Sequence, residues 1–265
     1  IIVFALFVGI AISLIGEKGK PALAFFDSLA ETMYRIVGMV MSFAPIGVFA
    51  LIAWVVGTSG AEVLLPLAKV IFVVYFVNIL HGIVVYSAAV KIFAGMSPVQ
   101  FFKGFFEATM VAFSTCSSGA TLPISMRLAQ ENLGVPKDIS SFVQPLGATI
   151  NMDGTAIYQG VCAVFIANVF GIKLGLPQYI MIIVSATLAS IGTAGVPGAG
   201  MIMLSLVLET VGLPLEGILL VAGIDRILDM IRTSMNVTGD AAGAVVIAAS
   251  EGELIRIPQD ASAST

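Results

Sequence analysis

The chain has 265 residues, a formal net charge of −4, only 11% charged residues against 58% hydrophobic, and a mean hydropathy of +1.07. A soluble domain would carry roughly 25% charged residues, and without a basic patch interleaved with aromatics nucleic-acid binding has no support. Cys116 and Cys162 are isolated in apolar segments, which argues against a disulfide framework or a thiolate metal site.

Long stretches are free of formal charge, among them Ile36–Ala61, Val70–Val90, Ile139–Met152 and Leu174–Leu208. All but the third reach the ~20 residues that cross a bilayer, and the third meets Asp153 first. The pattern predicts an all-α polytopic membrane protein. A transmembrane barrel would show short alternating segments instead.

In chain order, Ile1–Ile15 reads as the tail of a span, with residues expected upstream because neither an initiator methionine nor a basic leader precedes it. A polar stretch follows at Glu17–Arg35, then spans at Ile36–Gly57 and Leu64–Val90. The single His81 in the latter is expected to be a packed helix histidine rather than a ligand. Pro98–Gln130 is less apolar, and its middle, "STCSSGATLP" at Ser114–Pro123, gathers small residues between flanks too short to cross alone. That predicts a re-entrant helical hairpin. Ile139–Gly171 carries one charge, Asp153 in "TINMDGTAIYQ", and a carboxylate at the centre of a lipid span costs about 2.5–3.5 kcal/mol. Tyr179–Leu208 repeats the hairpin pattern around "ASIGTAGVPGAG" at Ala189–Gly200.

Each hairpin is followed by a segment with an Asn-to-Asp element, Asn151–Asp153 and then Asn236–Asp240. Together they form a weak internal repeat of hairpin and polar-interrupted helix. Paired Gly/Pro-interrupted segments in corresponding halves point to a transporter's midplane site. The blander reading is close helix packing at small residues; Pro197 among glycines, and the recurrence, favour hairpins. Alternating the spans puts Lys18, Lys20, Arg35, Lys91, Lys103, Arg127, Lys137 and Arg256 on one side and only Lys69 and Lys173 on the other. The positive-inside rule makes the first side, and the C-terminus, cytoplasmic. The two hairpins then enter from opposite sides.

In the last segment, Asp225, Asp229, Arg232, Asn236 and Asp240 are spaced by four, three, four and four residues, on one face of a helix. Structural ion pairs, Asp229 with Arg232 or Asp225 with Arg226, are the alternative reading. Polar groups inside spans are expensive and mark functional sites by default. A guanidinium grips a carboxylate bidentately, a nearby carboxylate suits an ammonium, and carbonyls from broken helices suit a hard cation. These residue types propose an acidic amino acid moved together with cations. Arg226 lies off the stripe and is left unassigned.

"SSGATLP", "GATINMDGTAIYQ", "ASIGTAGVPGAG" and "DRILDMIRTSMNVTGD" closely resemble, in order and over residues 1 to 250, the glutamate/aspartate transporter family of dicarboxylate/amino acid:cation symporters. The resemblance implies two opposed re-entrant hairpins, a seventh helix broken at "NMDGT" and an eighth bearing the stripe. It also implies a homotrimer in the cell membrane working as an elevator. Residues 1–95 would hold the fourth to sixth spans, 96–250 the transport core and 251–265 a polar tail.

By that resemblance Arg232 holds the side-chain carboxylate of the substrate, near Thr155 and Thr233, and Asp229 the amino group. Asn236 and Ser118 take the main-chain carboxylate, and Val196 and Gly200 close over it. One sodium ion (Na+) lies among Gly147, Asn151, Asn236 and Asp240, and a second near Thr149, Met152, Ser190, Ile191 and Thr193. A third uses Asn151 and Asp153, with its remaining ligands expected upstream of this chain. Cys116 and Gly119 depart from the family's serines, or arginine, at the first tip. Asp240 favours sodium over H+ coupling, and Asp229 favours an amino acid over a C4-dicarboxylate. Arg232 argues against the alternative of neutral amino acid transport. An intramembrane aspartyl protease would need "YD" and "GxGD", which the sequence lacks, so no enzyme is expected.

Overall fold

A computed structural model describes residues 2–255, and every regular element among them is helical. Two compact units divide the chain, residues 1–46 and 47–265. In the first, α1 (Ile2–Leu14) and α2 (Lys20–Met41) flank a short 3-10 turn, so most of the polar stretch at Glu17–Arg35 is helical. The run Ile36–Gly57, expected as one span, is not one helix: α3 (Ala44–Ser59) starts beyond a turn at Ser42–Phe43. Pro45 supplies the reason, since it has no N–H to bond back to Met41 and falls in the first turn of α3, where that donor is not needed.

In the second unit, α4 (Leu64–His81) continues through a π-helical turn at Gly82–Tyr86 into α5 (Ser87–Ala94). The helical stretch Ala61–Ala94 has 34 residues, and its most apolar 18 have a mean hydropathy of 2.3, long and apolar enough to cross a bilayer of ~30 Å. One face buries Val70, Val74 and Asn78; the other leaves Phe72, Ile83 and Phe93 exposed.

The first hairpin pairs α6 (Pro98–Thr115) with α7 (Ser118–Glu131). Its tip is only Cys116–Ser117, tighter than the expected Ser114–Pro123. Ser117 starts α7 early because its Oγ accepts from Ala120 N–H at 3.1 Å, and Pro123 falls inside the helix. Next come α8 (Lys137–Ile150) and α9 (Asp153–Val169), one helix broken at Asn151–Met152 as "NMD" predicts. The second pair, α10 (Leu176–Ser190) and α11 (Ala199–Val211), encloses the loop 191–198. With 15 and 13 residues its arms are ~22 and ~20 Å long, short of a hydrocarbon core.

After α12 (Gly217–Ala222), α13 (Asp225–Ser250) runs 26 residues without a break. The repeat of two polar-interrupted helices therefore holds for the polar residues but not the backbone. Ser234 and Thr238 donate to the carbonyls of Met230 and Ser234, at 2.9 and 2.7 Å, within the helix. α13 packs against α4 through α9 and is buried over most of its length, whereas Ile183, Leu188 and Ile202 lie on exposed outer faces. Polar side chains at the centre and apolar ones outside invert the usual soluble arrangement. Arg256 and most of the polar tail lie outside the described residues.

Trp54 is the single tryptophan. In a Trp54→Phe background, Phe72→Trp should be quenched by brominated lipid and Phe105→Trp, at a fully buried position, should be protected. Equal quenching would refute the apolar exterior.

Candidate functional site

α13 delivers its stripe to the place where both hairpin tips and the α8–α9 break converge. Arg232 is 2% exposed. Its Nη2 lies 2.9 Å and its Nε 3.1 Å from Asp229 Oδ1, and its Nη1 3.4 Å from Asp225 Oδ1. The guanidinium carbon sits 4.3 Å above the Tyr158 ring centre. Asp229 also accepts from Thr233 Oγ1 at 2.9 Å and, through Oδ2, from the backbone N–H of Gly198 at 2.9 Å. Gly198, at φ +78°, caps α11 in the left-handed region that glycine tolerates best. A Cβ on Gly200 would stand 2.8 Å from the Arg232 guanidinium carbon, so the α11 backbone lies directly on this charge.

Asn236 bridges to the broken helix: its Oδ1 accepts from Gly154 N–H at 2.9 Å and its Nδ2 donates to Thr155 Oγ1 at 3.0 Å. The two tips meet where Ser117 Oγ and Gly119 N–H both donate to the Gly195 carbonyl, at 2.9 and 3.1 Å. Cys116, at φ 55°, is the one non-glycine residue with positive φ among the described residues. All eight residues expected at the substrate, Ser118, Thr155, Val196, Gly200, Asp229, Arg232, Thr233 and Asn236, line one cavity of about 10 Å³, room for about one water. Cys116, Met152 and Thr193 line it too.

The residues expected at cations fall into two groups. Asn151 Nδ2 donates to Asp240 Oδ1 at 3.0 Å, and a Cβ at Gly147 would collide with the Asp240 carboxylate. Gly147, Asn151 and Asp240 are thus together beside the helix break. Met152 and Thr193 share the cavity wall, but Thr149 Oγ1 and Ser190 Oγ turn back onto the carbonyls of Leu146 and Thr187, and Ile191 is exposed.

Asp153 finds partners inside the chain rather than only upstream: Tyr86 Oη donates to its Oδ2 at 2.9 Å, and His81 Nε2 lies 3.3 Å from the same oxygen. His81 is therefore more than a packed helix histidine. Tyr86 sits on the π-helical turn, a distortion common at functional sites. Sequence reasoning also missed Tyr158 and the role of Asp225 as the second partner of Arg232. Asp225 was on the stripe and could have been found; Tyr158 gave no signal beyond its place in "TAIYQ".

The sequence profile of the sodium:dicarboxylate symporter family matches residues 1–250. The chain belongs to this family. Among its members, the chain is 42% identical over 253 residues to the proton/sodium-glutamate symport protein of Geobacillus stearothermophilus, across 96% of this chain and 60% of that protein. It is 41% identical to human excitatory amino acid transporter 3 over 248 residues, 93% of this chain and 47% of the relative. Human neutral amino acid transporter A is 39% identical over 249 residues, with the same two coverages. The chain spans about 60% or less of the length of each of these family members.

The buried triad makes a stability prediction. Replacing Asp229 with Ala leaves Arg232 with one carboxylate and Gly198 N–H without its acceptor. Breaking such a pair costs roughly 3–5 kcal/mol, so the melting temperature in detergent should fall clearly. An unchanged melting curve would contradict the geometry.

Proposed function

We propose that this chain forms the transport core of a secondary symporter that moves an acidic amino acid together with sodium ions across a cell membrane. The observation that carries this reading is the pairing of Arg232 and Asp229 in one cavity with Ser118, Thr155, Thr233 and Asn236. The guanidinium suits a side-chain carboxylate, Asp229 suits an α-ammonium, and the amide of Asn236 with the tip at Ser118 suits an α-carboxylate. Nothing in this arrangement requires bond chemistry; its parts are those of a binding site that must also let go.

The cavity is smaller than any amino acid, and Asp229 is tied to Gly198 of the second tip. Substrate entry requires the loop 191–198 to withdraw, and its carboxylate must take Arg232 from an existing pair. The second hairpin then acts as a gate, with Val196 and Gly200 closing over the substrate. Gly147, Asn151, Asn236 and Asp240 form a first sodium site, in which helix-break carbonyls and a carboxylate supply hard oxygen donors. Thr149, Met152, Ser190, Ile191 and Thr193 form a second, once the loop reorganises, and Asn151 with Asp153 contributes to a third. The relatives' names support both glutamate and sodium or proton coupling, and the retained Asp240 favours sodium. An elevator motion within a homotrimer, with opposed re-entrant hairpins and a cytoplasmic C-terminus, completes the reading. The short arms of α10 and α11 support the hairpins and the bias of Lys and Arg supports the orientation, whereas the elevator and the homotrimer rest on membership of the family.

Neutral amino acid transporter A is about as similar as the glutamate and excitatory amino acid carriers, so overall identity does not decide the substrate, and the acidic reading rests on Arg232. In the full-length protein reconstituted in liposomes, Arg232→Cys should weaken aspartate binding by roughly 2–5 kcal/mol, about thirty-fold or more, and open the site to serine. Unchanged aspartate affinity would sink the assignment. Uptake should follow an imposed sodium gradient; accumulation under a proton gradient alone would replace sodium with H+.

A further inference from the structure

Arg226 has no part in the site as described, yet it makes a hydrogen bond that joins the first turn of α13 to the end of α6. Its Nη2 donates to the Ser114 carbonyl at 3.0 Å, across 112 positions of sequence. That carbonyl belongs to the last turn of α6, where helix carbonyls lack internal partners and the helix dipole is negative. The neighbouring carbonyls are served locally: Ala112 accepts from Cys116 N–H at 2.9 Å, and Phe113 faces Cys116 Sγ at 3.8 Å. Two residues past Ser114 the chain turns through the left-handed Cys116 and then presents Ser118 to the cavity.

Arg226 also follows Asp225 directly. The first turn of α13 thus holds Arg232 with one residue and the end of α6 with the next. Simple packing accounts poorly for an arginine here. Its Nη1 is buried without a partner among the described residues, which costs stability. One donor would have satisfied Ser114.

Resting on the proposed substrate site, we propose that Arg226 is a positioning residue for it, clamping the end of α6 to α13 so that Cys116 and Ser118 meet the bound amino acid. The clamp acts through the tip and not through the cation group, because Gly147, Asn151 and Asp240 are held by their own contacts. Losing it should therefore weaken amino acid binding and leave cation binding alone.

The test uses the full-length protein in detergent, with aspartate and sodium each titrated by calorimetry and unfolding followed by heating. Arg226→Met keeps the stem and removes the donors. It should raise the aspartate Kd about tenfold, the effect of losing a charge-assisted hydrogen bond, with sodium binding and melting temperature unchanged. Arg226→Lys retains one donor and should recover most of the affinity. An unchanged aspartate Kd in Arg226→Met would overturn the proposal. So would a fall in both affinities and in melting temperature that lysine fails to rescue, since that pattern marks a purely structural arginine. If the unmodified protein binds no aspartate, the substrate reading fails, separately from the role of Arg226.

Discussion

The burial of one guanidinium organises the second unit. Arg232 is almost fully enclosed, and an isolated charge in such surroundings would be prohibitively costly. Two carboxylates from its own helix and the face of Tyr158 offset that cost. These compensations fix what surrounds them. Asp229 draws in the Gly198 N–H and so fixes where α11 starts; Gly200 is needed because a side chain there would strike the guanidinium. The second hairpin rests on this charge, and the first is tied to the second through the Gly195 carbonyl.

Charge balance links this cluster to the cation group. Asp225, Asp229, Asp153 and Asp240 gather around α13 and the α8–α9 break, where Arg232 and, at the start of α13, Arg226 carry the guanidiniums. On the proposed function, an acidic amino acid brings a further net negative charge into a region that already holds four carboxylates. Coulomb energies here are several times those in water, so on that reading each of anionic cargo and hard cation favours the other's entry. On the proposed function, electrostatics shared by neighbouring sites would contribute to coupling.

The sequence made the polar stripe legible because a helix repeats every 3.6 residues, and five polar residues at that spacing within an apolar run fall on one face of a buried helix. The break at Asn151–Met152 and the loop 191–198 were readable from asparagine, glycine and proline, which act on local backbone. What stayed hidden depends on partners far apart in sequence. His81 and Tyr86 reach Asp153 across 72 and 67 positions, and Arg226 reaches Ser114 across 112. No periodicity announces such pairs. The turn at Ser42–Phe43 was missed because hydropathy stays high through it, even though Pro45 was in plain view. The excess length given to the first tip has a similar origin: small residues suit both a loop and a capped helix start, and only the Ser117 cap separates them.

The uneven repeat shows two ways of bringing oxygen atoms to a point inside an apolar protein. In α8–α9 the backbone itself opens, with Asn151 at φ −121° and ψ 74°, so carbonyls that a continuous helix would use internally become free. In α13 the backbone stays closed and side chains supply the oxygens and amides. The two need each other. Asn236 of the closed helix satisfies Gly154 N–H at the reopened start of α9, a donor that the break would otherwise strand. Glycine makes the approach possible: Gly147 leaves room for Asp240, and a side chain at Gly239 would meet Tyr86 Oη at 2.6 Å. A second broken helix in place of α13 would lose the rigid spacing that sets Asp225, Asp229 and Arg232 against one another. Continuity in α13 is therefore the condition that lets α8–α9 be interrupted.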